Sequence, residues 1–88
     1  MALIRKRTFI AESGLSHVLT IETGHKPGDY SAALDGVTVA ALRAVKREGR
    51  TGYDVRTSTV TFSRYDGIDG ALSALVSIGR SGDLGPKN

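Results

Sequence analysis

The chain has 88 residues, enough for one domain with a single core and short of the size at which chains divide into several domains. Its 40% hydrophobic and 24% charged residues are ordinary for a globular protein, and the absence of cysteine excludes disulfides, thiolate metal sites and thiol nucleophiles. A net charge of +3 at pH 7 is a mild basic excess, compatible with nucleic acid or an acidic protein surface as the partner. No signal-peptide pattern and no apolar stretch near the ~20 residues of a membrane span is present, so we expect a cytoplasmic protein.

Alternating side chains predict strands in the first part of the chain. Residues 3–12 place β-branched and aromatic residues between charged ones, which suits an edge strand that could also pair with a second copy across a two-fold axis. Residues 16–34 predict a hairpin around the turn Lys26-Pro27-Gly28-Asp29, because proline fixes φ at its second position and glycine accepts a positive φ at its third. Asp35-Gly36 would close this hairpin.

Residues 37–48 predict an amphipathic helix. On a helical wheel an apolar arc contains Val37, Ala41, Leu42 and Val45. A basic arc on the opposite side contains Arg43, Lys46, Arg47 and Arg50. Gly49 is placed to end the helix in the left-handed conformation.

The second half of the chain predicts a strand region over residues 53–65 and a helix over residues 68–78. The strand alternation breaks near Thr57-Ser58, where either a bulge or a junction of two short strands would explain it. Asp66 or Asp69 would cap the helix start, and Gly79 its end. The sequence therefore predicts one α+β domain over residues 1–80, ordered β-β-β-α-β-α, with an antiparallel sheet of about four strands and both helices on one face. Residues 81–88 are expected to form a flexible tail.

Residues that might carry chemistry do not form a convincing site. Ser16, His17 and Asp29 have the side chains of a catalytic triad, but neighbours on a strand point to opposite faces. His17 and His25 have no cysteine or acidic cluster around them at metal-ligand spacing. The glycine-rich phosphate-binding motifs G-x-G-x-x-G and G-x-x-x-x-G-K-[ST] are both absent from the sequence. We therefore expect no enzyme activity, no metal and no cofactor.

Two basic clusters are the candidate contact surface. The predicted helix would expose Arg43, Lys46, Arg47 and Arg50 as one stripe. A second cluster, which would merge with the stripe if the first strand lies beside the helix, contains Arg5, Lys6 and Arg7. An ordinary solvated helix face would carry similar charges, so that interpretation stays open. Another candidate combines aromatic residues with arginines, for base stacking or protein anchoring unless the aromatics are core: Tyr53, Phe62 and Tyr65 near Arg56 and Arg64.

The run L-T-I-E-T-G-H-K-P-G-D-Y-S-A-A-L-D-G-V-T-V-A-A-L-R-A-V-K resembles the N-terminal domain of the HicB antitoxin family. That family has a strand ending in I-E, a glycine turn, a G-x-Y-x-A strand and then a helix. The matching residues here are Ile21-Glu22, Gly28, Tyr30, Ala32 and the predicted helix around Leu42. The chain lacks the family's inserted third strand, its acidic helix start and its DNA-binding appendage. The resemblance covers under a third of the chain and implies a shared β-β-α shape, not kinship.

The small size and the lack of a catalytic set are also similar, in style, to the compact inhibitors made by phages and mobile elements, including anti-CRISPR proteins. The sequence thus predicts a non-enzymatic inhibitor or accessory module that docks on a protein or nucleoprotein partner through the basic helix face. Direct binding of DNA or RNA through the same patch is the alternative. A homodimer is possible, and no membrane partner is expected.

Overall fold

A computed structural model of the chain describes residues 2–84. These residues form six strands followed by one helix: β1 (Leu3–Ile10), β2 (Ser16–Thr23), β3 (Asp29–Leu34), β4 (Val37–Arg47), β5 (Arg50–Thr57), β6 (Thr61–Arg64) and α1 (Gly67–Arg80). The strands form one sheet in chain order, and every neighbouring pair is antiparallel. The predicted α+β domain with an antiparallel sheet is confirmed. The predicted count of four strands and two helices is wrong.

Short turns explain why consecutive strands pair. Between β2 and β3, the Asp29 N–H donates to the Lys26 carbonyl at 3.0 Å and Gly28 has a φ of +87°, as the turn pattern predicts. The next two turns are Asp35-Gly36, with φ of 52° and 86°, and Glu48-Gly49, with φ of 52° and 76°. Positive φ at both central residues is the type I′ pattern, whose twist matches that of the flanking strands.

The segment predicted as the first helix is strand β4, so the helix prediction for residues 37–48 is wrong. Asp35-Gly36 does not end a hairpin unit but opens a second hairpin, which brings β4 between β3 and β5. Ala40 and Leu42 reach the core from one side of β4, and Ala41 between them faces the other side. Pairing with two strands outweighs the small helix preference of alanine and leucine. The β-β-α shape implied by the HicB resemblance is wrong for the same reason.

The region of residues 53–65 contains the end of β5 and the whole of β6, which are separate strands. The turn between β5 and β6 is closed by Thr57, whose N–H and Oγ1 both donate to the Val60 carbonyl, at 2.8 and 3.1 Å. Its Oγ1 also accepts from the Val60 N–H at 3.0 Å. Of the two explanations for the broken alternation, the junction of two short strands is therefore the one that holds.

The core lies between the sheet and α1, which confirms the predicted second helix with slightly wider bounds. Its apolar stripe packs on buried strand residues, and the cluster contains Leu19, Ile21, Leu42, Val55, Ala71, Leu72 and Leu75. The helix contacts β1 at one edge of the sheet and β5 and β6 at the other, so the sheet curls around it. A Cβ on Gly79 would lie 2.8 Å from Phe9 Cζ, so glycine permits this close approach, and the helix continues to Arg80. We call the face under α1 the inner face and the opposite one the outer face.

The segment predicted as a flexible tail is only partly described. Leu84 is buried in the core, while residues 85–88 lie outside the described residues. In the described part of the chain, no helix has both the length and the apolar character needed to cross a membrane.

Candidate functional site

The outer face of β3, β4 and β5 carries two adjacent rows of side chains. Residues directly opposite each other on antiparallel strands share a face, so the register defines each row. The first row contains Ser31, Ala41, Arg56 and Thr61, and the second contains Asp29, Arg43, Asp54 and Ser63. Since α1 lies against the inner face, no described helix covers these rows.

The two rows, apart from Ser63, form the floor of an open groove of about 790 Å³. Ser31, Ala41 and Thr61 are small and leave the backbone of the sheet approachable, and the β2–β3 turn contributes His25 and Lys26. We call this site the outer groove; its lining is Gly24, His25, Lys26, Asp29, Tyr30, Ser31, Ala41, Leu42, Arg43, Asp54, Val55, Arg56 and Thr61.

Asp54 is the most firmly held charged group in the outer groove. Arg47 donates from Nη1 and Nη2 to its two oxygens at 2.7 and 2.8 Å, and Ser63 Oγ donates at 2.7 Å. These hydrogen bonds hold the pKa of Asp54 well below its usual value, and the bond from Arg47 has the largest effect. The bond with Asp54 in turn raises the pKa of Arg47. Both groups are therefore charged at neutral pH, and the charge of Arg47 is already matched inside the protein.

Arg43 and Arg56 are the arginines that the floor of the outer groove offers to a ligand. Arg43 Nε donates to Asp29 Oδ1 at 3.2 Å, a longer contact than the one at Asp54, and its side chain is 71% exposed. Arg56 is exposed and has no ion-pair partner among residues 2–84. The two arginines are diagonal neighbours on β4 and β5, roughly 7–8 Å apart. Both arginine side chains are long enough to bring their guanidinium groups to one carboxylate or phosphate between them.

Tyr65 extends this charged surface beyond the end of β6. Its ring lies over Gly52, where a Cβ would be 2.5 Å from Tyr65 Cδ2. The guanidinium carbon of Arg50 is 4.7 Å from the ring centroid, and Arg47 Nη1 donates to the Tyr65 hydroxyl at 3.1 Å. The cation–π contact with Arg50 and the hydrogen bond from Arg47 thus hold Tyr65 beside two arginines on the outer face.

The structure divides the predicted contact residues between two faces. The register places four of them on the outer face: Lys6, Arg43, Arg47 and Arg50. Lys46 is exposed on the opposite side of β4 from Arg47. Arg5 and Arg7 face α1, where Arg5 Nε donates to Asp69 Oδ1 at 2.7 Å and Arg7 Nη1 donates to Ser73 Oγ at 3.3 Å. The basic stripe on a helix does not exist, and the role of these residues in contacts stays a prediction.

Sequence reasoning missed the floor of the outer groove, and it considered Arg56 only beside aromatic residues. Of those aromatics, Tyr53 and Phe62 pack against the core, whereas Tyr65 lies on the outer face. The alternation in β5 could have placed Asp54 and Arg56 together, opposite the core side chain Val55. No sequence signal marks Ser31, Ala41 or Thr61, because their importance depends on the register of three strands.

The two histidines lie in different surroundings, His17 beside Asp35 and His25 at the rim of the outer groove. His17 Nδ1 lies 2.6 Å from Asp35 Oδ2, and this contact, together with the Val18 N–H, lowers the pKa of Asp35. Within residues 2–84, no group of three or more His, Cys, Asp or Glu side chains is placed to hold a metal ion.

Comparisons with known proteins found nothing similar. No protein-family model matches the chain, and neither the curated proteins nor the solved structures contain a match. The geometry of the chain is therefore the basis for a functional proposal.

Proposed function

We propose that the protein is a non-catalytic binding module that docks an acidic protein surface in the outer groove. The observation that carries this proposal is the placement of Lys26, Arg43 and Arg56 around an uncovered floor of small side chains. Carboxylates of the partner would bind between the two arginines, since charge-assisted contacts to guanidinium are short and directional. Ser31 and Thr61 add hydroxyl groups that donate or accept hydrogen bonds from the floor.

Carboxylates in the groove favour a protein partner over nucleic acid. Asp29 and Asp54 lie in the same row as Arg43, so the charge alternates in sign across the sheet. A protein surface can present both signs in complementary positions, whereas a phosphate backbone presents only negative charge and is repelled by the acidic positions. The adjacent pair of Tyr65 and Arg50 fits the enrichment of tyrosine and arginine in protein interfaces.

The state of one acidic residue in the groove, Asp54, fits a role in binding better than a role as a general acid. The depressed pKa of Asp54 keeps this carboxylate ionised and occupied by its own hydrogen bonds, so it is a poor proton donor. The proposal requires neither metal nor cofactor. A module of this kind would act in the cytoplasm as an inhibitor or accessory protein, of the type made by phages and mobile elements, by occupying the acidic surface of its partner.

A second candidate function is direct binding of single-stranded DNA or RNA on the same face. It is favoured by the excess of basic residues on the outer face of the strands. The basic residues there are Lys6, Arg43, Arg47, Arg50 and Arg56, and the acidic ones are Glu22, Asp29 and Asp54. Tyr65 is the one aromatic residue on that face among residues 2–84, so base stacking would have a single platform.

One pair of variants tests both candidates. Arg56→Glu reverses a charge in the outer groove, and Arg80→Glu makes the same change at the exposed end of α1. We expect a labelled decaglutamate peptide to bind the wild-type protein. Its affinity for Arg56→Glu should be about tenfold lower, since a charged hydrogen bond contributes about 1.5–3 kcal/mol. Its affinity for Arg80→Glu should stay within about twofold of that for the wild type.

The same proteins are titrated with labelled oligo-deoxythymidine at increasing salt. The second candidate would be established instead if the protein binds this probe more tightly than the peptide. That binding would also have to be lost in Arg56→Glu and to weaken steeply with salt. Equal weakening of peptide binding in both variants would show that only net charge matters, and it would refute a site in the outer groove.

A further inference from the structure

The backbone of β1 has one side paired and one side open. β1 is the first strand of the sheet and pairs only with β2. At the end of β2, the Thr23 N–H donates to the Ala2 carbonyl on the β1 side. On the β3 side, the Val18 carbonyl accepts from the Asp35 N–H, and the N–H of Gly24, which directly follows β2, donates to the Asp29 carbonyl. Odd-numbered residues of β2 therefore bond to β1 and even-numbered ones to β3, as antiparallel pairing requires.

The register then identifies the open positions on β1. Arg5, Arg7 and Phe9 lie opposite odd-numbered residues of β2, and their backbone N–H and C=O groups hydrogen-bond to that strand. The N–H and C=O groups of Lys6, Thr8 and Ile10 point to the free edge, and all three of these residues are exposed.

Both ends of the open stretch are closed by the protein itself. The outward carbonyl of Ile4 accepts from Arg5 Nη1 at 2.7 Å, and the Glu12 N–H donates to the Arg80 carbonyl at 2.9 Å. Between these two contacts, no described residue pairs with the edge positions Lys6, Thr8 and Ile10. The unpaired edge is thus a bounded segment of β1, and unpaired edges are templates for strand addition.

We propose that this segment, Lys6 to Ile10, accepts an extended acidic segment of a protein partner as a seventh strand. The charged side chains that border the new strand are Arg7 on the inner face and Lys6 on the outer face. Acidic residues of the incoming strand would lie opposite these cations, and the exposed side chain of Ile10 would contact an apolar residue at the other end.

A second copy of this chain is the alternative occupant of the same edge. Antiparallel pairing of two β1 strands about a two-fold axis at Thr8, the centre of the open segment, would place Lys6 opposite Ile10 and Arg7 opposite Phe9. Opposite charges on facing strands stabilise a strand pair, and a second copy supplies none opposite these cations. An acidic strand supplies them, so the charge of the segment favours an acidic strand over a second copy.

The proposal is tested with a labelled peptide that carries three consecutive glutamates flanked by threonine and valine. Thr8→Pro removes one outward N–H without changing the charge, and Thr8→Val keeps that N–H. We expect Thr8→Pro to bind the peptide about tenfold more weakly and Thr8→Val to bind within about twofold of wild type. Circular dichroism of both variants checks that the sheet is retained.

A second measurement does not depend on the folding of any variant. The same peptide with alternate backbone amides N-methylated keeps its side chains and loses its strand hydrogen bonds, so its affinity for the wild-type protein should fall at least about tenfold. Hydrogen exchange at Lys6, Thr8 and Ile10 should slow when the unmodified peptide is added. Equal binding of the two peptides, or no binding of either, would overturn the proposal. A dimer that Thr8→Pro dissociates would overturn it in favour of a second copy.

Discussion

Gly52 is the position at which the smallest substitution should disturb the outer face most. A Cβ there would lie 2.5 Å from the Arg64 carbonyl oxygen, 2.5 Å from Tyr65 Cδ2 and 2.8 Å from Tyr65 Cε2. Carbon contacts are optimal at about 3.5–4.0 Å, so the methyl group of Gly52→Ala overlaps both neighbours by roughly 1 Å. The carbonyl of Arg64 cannot move freely because Arg64 pairs with Tyr53 across β5 and β6.

Overlap of this kind costs about 1–3 kcal/mol of the free energy of unfolding. For a domain of 60–100 residues, 1 kcal/mol corresponds to about 4–8 °C in Tm, so we expect Gly52→Ala to lower Tm by about 4–24 °C. Thermal unfolding followed by circular dichroism measures this change. An unchanged or higher Tm would refute the close packing of Tyr65 on Gly52.

A double-mutant cycle separates the ring from the backbone. Tyr65→Ala removes the ring, so Gly52→Ala should lower Tm less in that background, and the remaining loss should reflect the Arg64 carbonyl alone. Additive losses from the two substitutions would show that the ring and the methyl group do not meet.

Two further predictions concern the core and the ion pairs. Leu75 is fully buried between α1 and the sheet, so Leu75→Ala should reduce the free energy of unfolding by about 2–5 kcal/mol in urea titrations; a loss below about 1 kcal/mol would contradict its place in the core. The folded pKa of Asp54 lies below its unfolded value of about 3.9, so the unfolded chain binds more protons in acid and stability falls as the pH drops below about 5. Urea titrations from pH 7 to pH 3 should show this fall, and Asp54→Asn should make it shallower; an equally steep fall would contradict the stabilising role of the Arg47 pair.

Local signals predicted the parts of the fold that depend on turns and on a terminal helix. The Lys26–Asp29 turn and the stripe of α1 are set by residues close in sequence, and both predictions are confirmed. β4 is different, because its apolar residues fit a helical wheel as well as a pleated strand with a local irregularity. The register shift between Ala32 and Ala33 places both Val39 and Ala40 in the core, which breaks simple alternation. Only the neighbouring strands resolve that ambiguity.

The candidate site was predictable in charge but not in shape. The sequence grouped Arg43, Lys46, Arg47 and Arg50, and the register brings all of them except Lys46 to one face of the sheet. Their availability follows from pairing across strands, which leaves Arg43 largely exposed while Arg47 is bound to Asp54. A groove whose floor is built from three strands has no counterpart in any single segment of the chain.

The most direct test of the outer groove is an amide chemical-shift titration of the Thr8→Pro variant with decaglutamate, because this variant disables the edge of β1 and leaves the groove intact. We predict that the largest shifts fall on Ser31, Ala41, Arg56 and Thr61, which form one row across β3 to β6. Shifts concentrated on α1, with that row unchanged, would contradict the assignment of the binding site to the outer face.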